Sequence, residues 1–329
     1  MFTRRRLLEL SAASVFAPAG IAVRAQAQAP VWPNRMVRLI LPFPAGGGAD
    51  MIGRLVGARL SEVWGQQVVI ENRGGAGGNL ASEATARSDP DGYTLFLAGD
   101  FLSTNKFLYP KLSYDPVADL APVSLVVQFP TVIVVPNSSP ARDVSEFIAH
   151  AKAKGGAFTY ASPGHGTSPH LAAELFKRVA GIEMTHVPYR GAAPALQDLV
   201  PGRVDSFFNN IAPTVALMKD GQIRGIAVSS AKRSPAMPDL PTVAESGFPD
   251  FIVPGWYAFY VPARTPPAII RKMHADTAIV LAEPGIKNRL EQSGLFVLSS
   301  TPEEMGAYHQ AEMKKWGPLI EQAGIRFRE

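Results

Sequence analysis

Residues 36–50, MVRLILPFPAGGGAD, divide into a strand, a breaker and the opening of a helix. Residues 36–41 are dominated by apolar side chains, over a length that suits a buried strand and is too short for a helix. Pro42 and Pro44 then stop a hydrogen-bonded ladder, and Gly46, Gly47 and Gly48 allow the backbone to turn tightly. From Met51 onward, Ile52, Leu55, Val56 and Leu60 recur at helical spacing. Glycines ahead of a helix leave bare N–H groups at its positive end, where an anion can sit. The plainer reading is a tight strand–helix turn, and this stretch alone does not separate the two.

Outward from it, the same alternation continues. Residues 67–71 (QVVIE) read as a second strand, 72–79 (NRGGAGGN) as another glycine-rich loop and 80–87 as a short helix. Turn chemistry at 89–92 (DPDG) leads into a third strand at 93–98 (YTLFLA), and this spacing predicts a largely parallel α/β sheet. Residues 123–135 (VSLVVQFPTVIVV) form an unusually long apolar run, broken at Pro130, of a length that crosses between domains. Alternation then resumes through helices at 144–154, 171–179, 193–199 and 214–219, and strands at 157–160, 183–187, 203–208 and 224–228. A proline-rich connection precedes an aromatic run at 256–261 that reads as a return crossing. Residues 267–329 read mostly as helices, one of them signalled by Thr301-Pro302-Glu303-Glu304. Two crossings imply two α/β lobes, residues 30–129 plus 254–329 and residues 130–253, with a ligand cleft between them.

The chain has 329 residues, 47% of them hydrophobic and 18% charged, which describes an ordinary globular protein. Its basic balance is concentrated at the start. Without Arg4, Arg5, Arg6, Arg24 and Glu9 the formal net charge falls from +4 to +1. No long Lys/Arg run remains, so nucleic acid and anionic membrane have no electrostatic footprint. Cysteine is absent, which excludes disulfides, thiolate catalysis and thiolate-bound metals. A cationic start, a short apolar centre and alternating small residues make residues 1–27 an export signal, with cleavage after Ala25 or Ala27. The arginines after Thr3 resemble the twin-arginine variant. The apolar part is too short for a membrane anchor and is interrupted by Pro18 and Gly20. A periplasmic protein follows as the expectation.

A second loop, 161–170 (ASPGHGTSPH), again joins a strand to a helix through glycines. Ser168 followed by Pro169 reads as an N-cap and a first-turn proline, and Ser162, Thr167 and Ser168 offer hydroxyls suited to a carboxylate. Catalytic readings find less support. Walker and G-x-S-x-G patterns are missing, and G-x-G-x-x-G fails at Met51 and Leu80. His165 and His170 with Glu174 lack a recognised metal-ligand spacing, so neither metal nor cofactor is expected. A serine–histidine pair can be drawn from Ser162 or Ser168 with His165, as it can in nearly any chain of this length. His150, His274 and His309 read as solvated residues on polar helix faces. Asn209-Asn210, after a strand, either reads a polar ligand group or caps a helix, and Arg190 either meets a second carboxylate or makes a surface ion pair.

Taken in order, several stretches resemble one family. They are 42–50 (PFPAGGGAD), 69–79 (VIENRGGAGGN), 91–95 (DGYTL), 164–171 (GHGTSPHL), 187–191 (VPYRG) and 238–247 (PDLPTVAESG). Each is weak alone, but together they resemble the Bug-type (TctC-like) periplasmic solute receptors of tripartite tricarboxylate transporters, from about Trp32 to the C-terminus. The resemblance implies a two-lobed, type II periplasmic-binding-protein fold and a small organic carboxylate as ligand, held largely by backbone N–H groups of two opposed loops. It nominates Phe43, Ala45, Gly46, Gly47 and Asp50 on one lobe, and Ser162, Gly166, Thr167 and His170 on the other. Asn209 falls where relatives often discriminate ligands. Because Asn209-Asn210 lacks an acid, the expectation is a plain mono- or dicarboxylate, a hydroxy acid or an aromatic acid, not an amino acid. The expected partners are the membrane permease subunits of such a transporter, with no nucleic acid, and the receptor is expected to be a monomer and no enzyme. A sensing accessory of a two-component system is the alternative of a different class, ahead of an enzyme acting on a carboxylate. The effector-binding half of a transcription regulator shares the bilobal plan, but the export signal and the missing DNA-binding helices count against it.

Overall fold

The structure is a computed structural model and describes residues 32–322; the export-signal expectation at residues 1–27 lies outside them. The opening stretch forms β1 (Val37–Leu41) and α1 (Gly48–Trp64), as its apolar spacing requires. Next come β2 (Val68–Asn72), α2 (Asn79–Ala86), β3 (Thr94–Gly99) and α3 (Phe101–Leu108). The sequence reading passed over α3, because its polar residues Ser103, Thr104 and Asn105 obscure the helical period although all three are buried.

One strand, β4 (Leu120–Pro136), is 17 residues long and spans the molecule. It is followed by α4 (Val144–Lys154), β5 (Thr159–Ser162), α5 (Ser168–Ala180), β6 (Thr185–Pro188), α6 (Ala192–Leu199), β7 (Ser206–Asn210), α7 (Val215–Lys219) and β8 (Ile223–Val228). The return strand β9 (Pro254–Pro262) precedes α8 (Pro267–Ala282), α9 (Pro284–Gln292), β10 (Phe296–Val297) and α10 (Pro302–Gln322). Helix α10 starts where its signal lies, with a reciprocal capping box: Glu304 N–H donates to Thr301 Oγ1 (3.1 Å) and Thr301 N–H to Glu304 Oε2 (2.8 Å).

The sheet order is β2-β1-β3-β9-β4-β7-β5-β6, with β8 and β10 also paired to β4. Parallel pairing holds within each end of the sheet, β2-β1-β3 and β7-β5-β6. The two crossing strands are antiparallel to each other and to their neighbours, so the expected parallel sheet is interrupted at its centre. Residues 120–130 of β4 pair with β9, and residues 131–136 pair with β7 and β8. At the changeover Pro130 faces Pro254. Neither can donate a ladder hydrogen bond, so the ladder between the crossing strands stops there and the sheet opens into two lobes.

Each lobe is a sheet covered on both faces. In the first, Val37, Leu39 and Leu41 point at Ile52, Val56 and Leu60 of α1 and Met273 and Val280 of α8. The alternate residues Ile40, Phe96 and Ala98 face Ala81 of α2 and Phe101 and Leu102 of α3. In the second, Tyr160, Phe208 and Ile133 lie under Phe147 of α4 and Phe176 of α5, while Phe207, Val132 and Val134 face Ala195 and Leu199 of α6. Full burial of each such side chain contributes about 1.5–3 kcal/mol. Helix α10 spans these cores: Met305 joins the first, whereas Trp316 and Ile320 join the cluster of Phe147 and Phe176. Among the described residues no helix is long and apolar enough to cross a membrane.

Candidate functional site

Four strands point their C-terminal ends at one cavity, the place where α/β sheets present ligand sites. After β1 come Phe43, Gly47 and Gly48; after β3, Asp100 and Phe101; after β5, Pro163 and Thr167; and at the end of β7, Asn209 and Asn210. Phe129 and Tyr257, from the two crossing strands, complete an apolar wall. The cavity has an empty volume of about 430 Å3.

The first loop is held in shape from behind. Asp50 Oδ2 accepts the Gly46 N–H (3.1 Å), Asp50 also takes the Arg54 Nε–H (3.0 Å), and Asn72 Nδ2 donates to both Asp50 Oδ1 (3.1 Å) and the Phe43 carbonyl (2.9 Å). Burial pushes the Asp50 carboxyl up, but the bonds from Arg54, Gly46 and Asn72 outweigh it and hold the group below its usual range. Gly46 adopts φ +88°, where a side chain would be strained. Gly47 is the N-cap of α1 and no side chain caps the helix, so its first turn opens onto the cavity. Gly48 must be glycine for another reason: a Cβ there would fall 2.7 Å from Asn210 Nδ2, across the cleft.

The second loop is satisfied internally. Thr167, not Ser168, is the N-cap of α5, and its hydroxyl donates to the Gly164 carbonyl (2.8 Å). The Gly166 N–H donates to His170 Nδ1 (3.2 Å), and the Ser162 hydroxyl pairs with His186 Nε2 (2.7 Å). Across the cleft, Thr104 donates to the Gly166 carbonyl (2.7 Å), and the Ser168 N–H donates to Asp100 Oδ1 (2.9 Å). Asp100 Oδ2 accepts the Trp256 N–H (3.3 Å). Burial raises the Asp100 carboxyl to about 6.

Of the residues nominated from the sequence, Phe43, Gly47, Thr167 and Asn209 line this cavity together. Ala45 and Gly46 lie exposed on the same loop, whereas Asp50, Ser162, Gly166 and His170 are buried behind the lining and brace the two loops. Arg190 is exposed and outside the lining. Asp100, Phe101, Phe129 and Tyr257 were missed. For Asp100 a signal existed: a lone acid directly after the apolar strand 94–99 sits where such sheets bind ligands.

His165, His170 and His186 form the one grouping of three possible metal ligands among the described residues, with a nitrogen of each within 4.8 Å of the others. His170 and His186 stack at 4.3 Å, and Tyr160 stacks on His186 at 4.7 Å. Burial drives the pKa of His170 down to about 3 and of His186 to about 2, and lowers that of His165, so the rings are neutral at physiological pH. Glu174 instead bonds the Tyr160 hydroxyl and Lys177. The Ser162–His186 pair lies outside the cavity lining, with Ser162 buried and His186 half-buried. His309, read from the sequence as solvated, is 3% exposed and meets the Tyr260 hydroxyl at 3.2 Å.

Residues 52–325 match the family model described as tripartite tricarboxylate transporter family receptor. Three solved structures resemble the chain closely. The protein Rpa4515 of R. palustris, solved with adipate, is 36% identical with a TM-score of 0.88, over 90% of this chain and 100% of that one. The periplasmic binding protein BugD is 32% identical with a TM-score of 0.87, over 90% and 99%. MatC (Rpa3494) of Rhodopseudomonas palustris, with bound malate, is 32% identical with a TM-score of 0.83, over 88% and 99%.

Proposed function

The chain belongs to the tripartite tricarboxylate transporter receptor family, a family of solute-binding proteins and not of enzymes, and from that premise we propose that it captures a small organic carboxylate between its lobes and delivers it to the membrane permease of such a transporter. The site is the working part of a two-lobed periplasmic-binding-protein fold, and the periplasm is the compartment in which this receptor operates. What carries the reading is the uncapped start of α1, opening onto a cavity beside the Asn209 amide, whose Nδ2 is buried and meets no acceptor among the described residues. Helix N–H groups and a spare amide donor suit a carboxylate. Hydrogen bonds to a charged acceptor contribute about 1.5–3 kcal/mol each, enough in small number for micromolar affinity, about −8 kcal/mol. Phe43, Gly47, Thr167 and Asn209 touch the ligand; Gly46, Asp50, Ser162, Gly166 and His170 hold the loops that present them, and Ala45 lies exposed on the first loop. Ligand contacts from both lobes favour the closed state, which the permease recognises.

A thermal-shift screen of the mature protein against organic acids tests this. A ligand at 100 times its dissociation constant adds about 2.7 kcal/mol of stability. A Cβ at Gly47 meets nothing within 4 Å, so Gly47→Val leaves the fold intact and obstructs the cavity. Thr167→Val removes the hydroxyl that braces Gly164. Both are expected to fold and to lose the shift; normal binding by both variants refutes the site.

A further inference from the structure

The two opposed loops do not offer two equivalent anion seats. The first-turn N–H of α5, at Ser168, already donates to Asp100, a carboxylate of the protein itself. Asp100 lines the cavity, is 6% exposed and has no ion-pair partner among the described residues; its oxygens accept the N–H groups of Ser168 and Trp256. Donors facing the cavity therefore gather at the other loop, where the start of α1 opens beside Asn209 Nδ2, 1% exposed and without an acceptor. The rings of Phe43, Phe101, Phe129 and Tyr257 line the same cavity.

We infer that the cleft selects a monocarboxylate with an apolar or aromatic body that carries a hydrogen-bond donor, hydroxyl or ammonium, for Asp100, and that it discriminates against dicarboxylates. This rests on the carboxylate-receptor reading above. The ligand's carboxylate takes the α1 N-terminus and the Asn209 amide; its donor takes a remaining lone pair of Asp100. A second carboxylate in that position meets a like charge in a site from which water is largely excluded, where the repulsion is strong. A carboxylate has about four lone-pair sites, more than the Ser168 and Trp256 contacts use, so the seat is open to a donor and closed to another acceptor. The sequence reading set amino acids aside because Asn209-Asn210 lacks an acid; the fold supplies the acid from β3 instead. Burial raises the Asp100 pKa to about 6, which leaves it mostly ionised at pH 7.5.

The test is calorimetric titration at pH 7.5 with sets matched in chain length: unsubstituted, ω-hydroxy, ω-amino and dicarboxylic acids of three to six carbons, together with benzoate, 4-hydroxybenzoate, 4-(aminomethyl)benzoate and terephthalate. In the tightest-binding set, the hydroxy or amino member is expected to bind at least tenfold tighter than both the dicarboxylate and the unsubstituted acid. Which of the two leads separates hydroxyl from ammonium recognition. Asp100→Asn, which keeps the size and one acceptor, is expected to bring the dicarboxylate within threefold of that member. A dicarboxylate or unsubstituted acid that binds tightest to the wild-type protein overturns the inference while leaving the carboxylate-receptor reading intact, and so does a ratio that Asp100→Asn leaves unchanged. If no acid in any set binds, the receptor reading falls and this inference with it. The wild-type ratios decide even where the variant fails to fold.

Discussion

Three neutral imidazoles and one buried carboxyl give the protein a pH signature with opposed parts. A histidine held below its usual 6.5 binds fewer protons folded than unfolded, so its contribution to stability is present above 6.5 and is lost as pH falls towards about 3 for His170 and about 2 for His186. His309, lowered to about 4 by burial, acts in the same direction. Asp100, raised from 3.8 to about 6, acts in the other: its contribution weakens as pH rises between those values. The histidines outnumber it, so the urea midpoint is expected to be lower at pH 5 than at pH 7.5; an equal or higher midpoint at pH 5 contradicts the buried neutral cluster. Asp50→Ala strips the Gly46 N–H and the Asn72 amide of an acceptor and is expected to cost about 1–3 kcal/mol in denaturant unfolding. At this scale the sequence was partly legible. Glycines, prolines and caps declare the loops, and the family resemblance nominated Phe43, Gly47 and Thr167 on them. His186 could not be joined to His170, since nothing local in Thr185–Pro188 says which strand will lie beside it.

Among the elements, the glycine-rich loops matter as much for the space they leave as for what they bond. Gly77, at φ +59°, lies so close to the second loop that a Cβ would stand 2.3 Å from the His165 carbonyl oxygen. Gly77→Ala is therefore expected to keep the lobes from closing fully. Ligand affinity should fall at least tenfold while the fold is retained, and the radius of gyration of the ligand-saturated variant should stay at the value of the unliganded protein. Wild-type compaction by the variant would show that the loops meet elsewhere. Thr301→Ala removes one half of the α10 capping box and is expected to cost about 1 kcal/mol without changing affinity, measured by urea unfolding and calorimetry. The strands and most helices were legible because apolar periodicity is a local property. Helix α3 was not, because Thr104 and Asn105 are buried against partners on distant loops, Gly166 for Thr104 and Gly77 for Asn105, beside the buried Ser103. The missed residue Asp100 sits at its start.

For the molecule as a whole, the sequence foretold two lobes because two long runs cross between them. It did not foretell where the last helix ends. Helix α10 leaves the first lobe at Met305 and buries Trp316 and Ile320 in the core of the second. Trp316→Ala is expected to destabilise the protein by about 3–5 kcal/mol and to speed hydrogen exchange in α4 and α5 more than in α1. Uniform acceleration would mean that the helix does not couple the two cores. The proline at position 318 falls between the two anchoring side chains and cannot donate the helical bond of its turn. A tether fastened at both ends, with one weakened turn near its far knot, limits how wide the jaws can swing. The largest guest this receptor admits is then governed by the slack in its final helix as well as by the walls of the cleft.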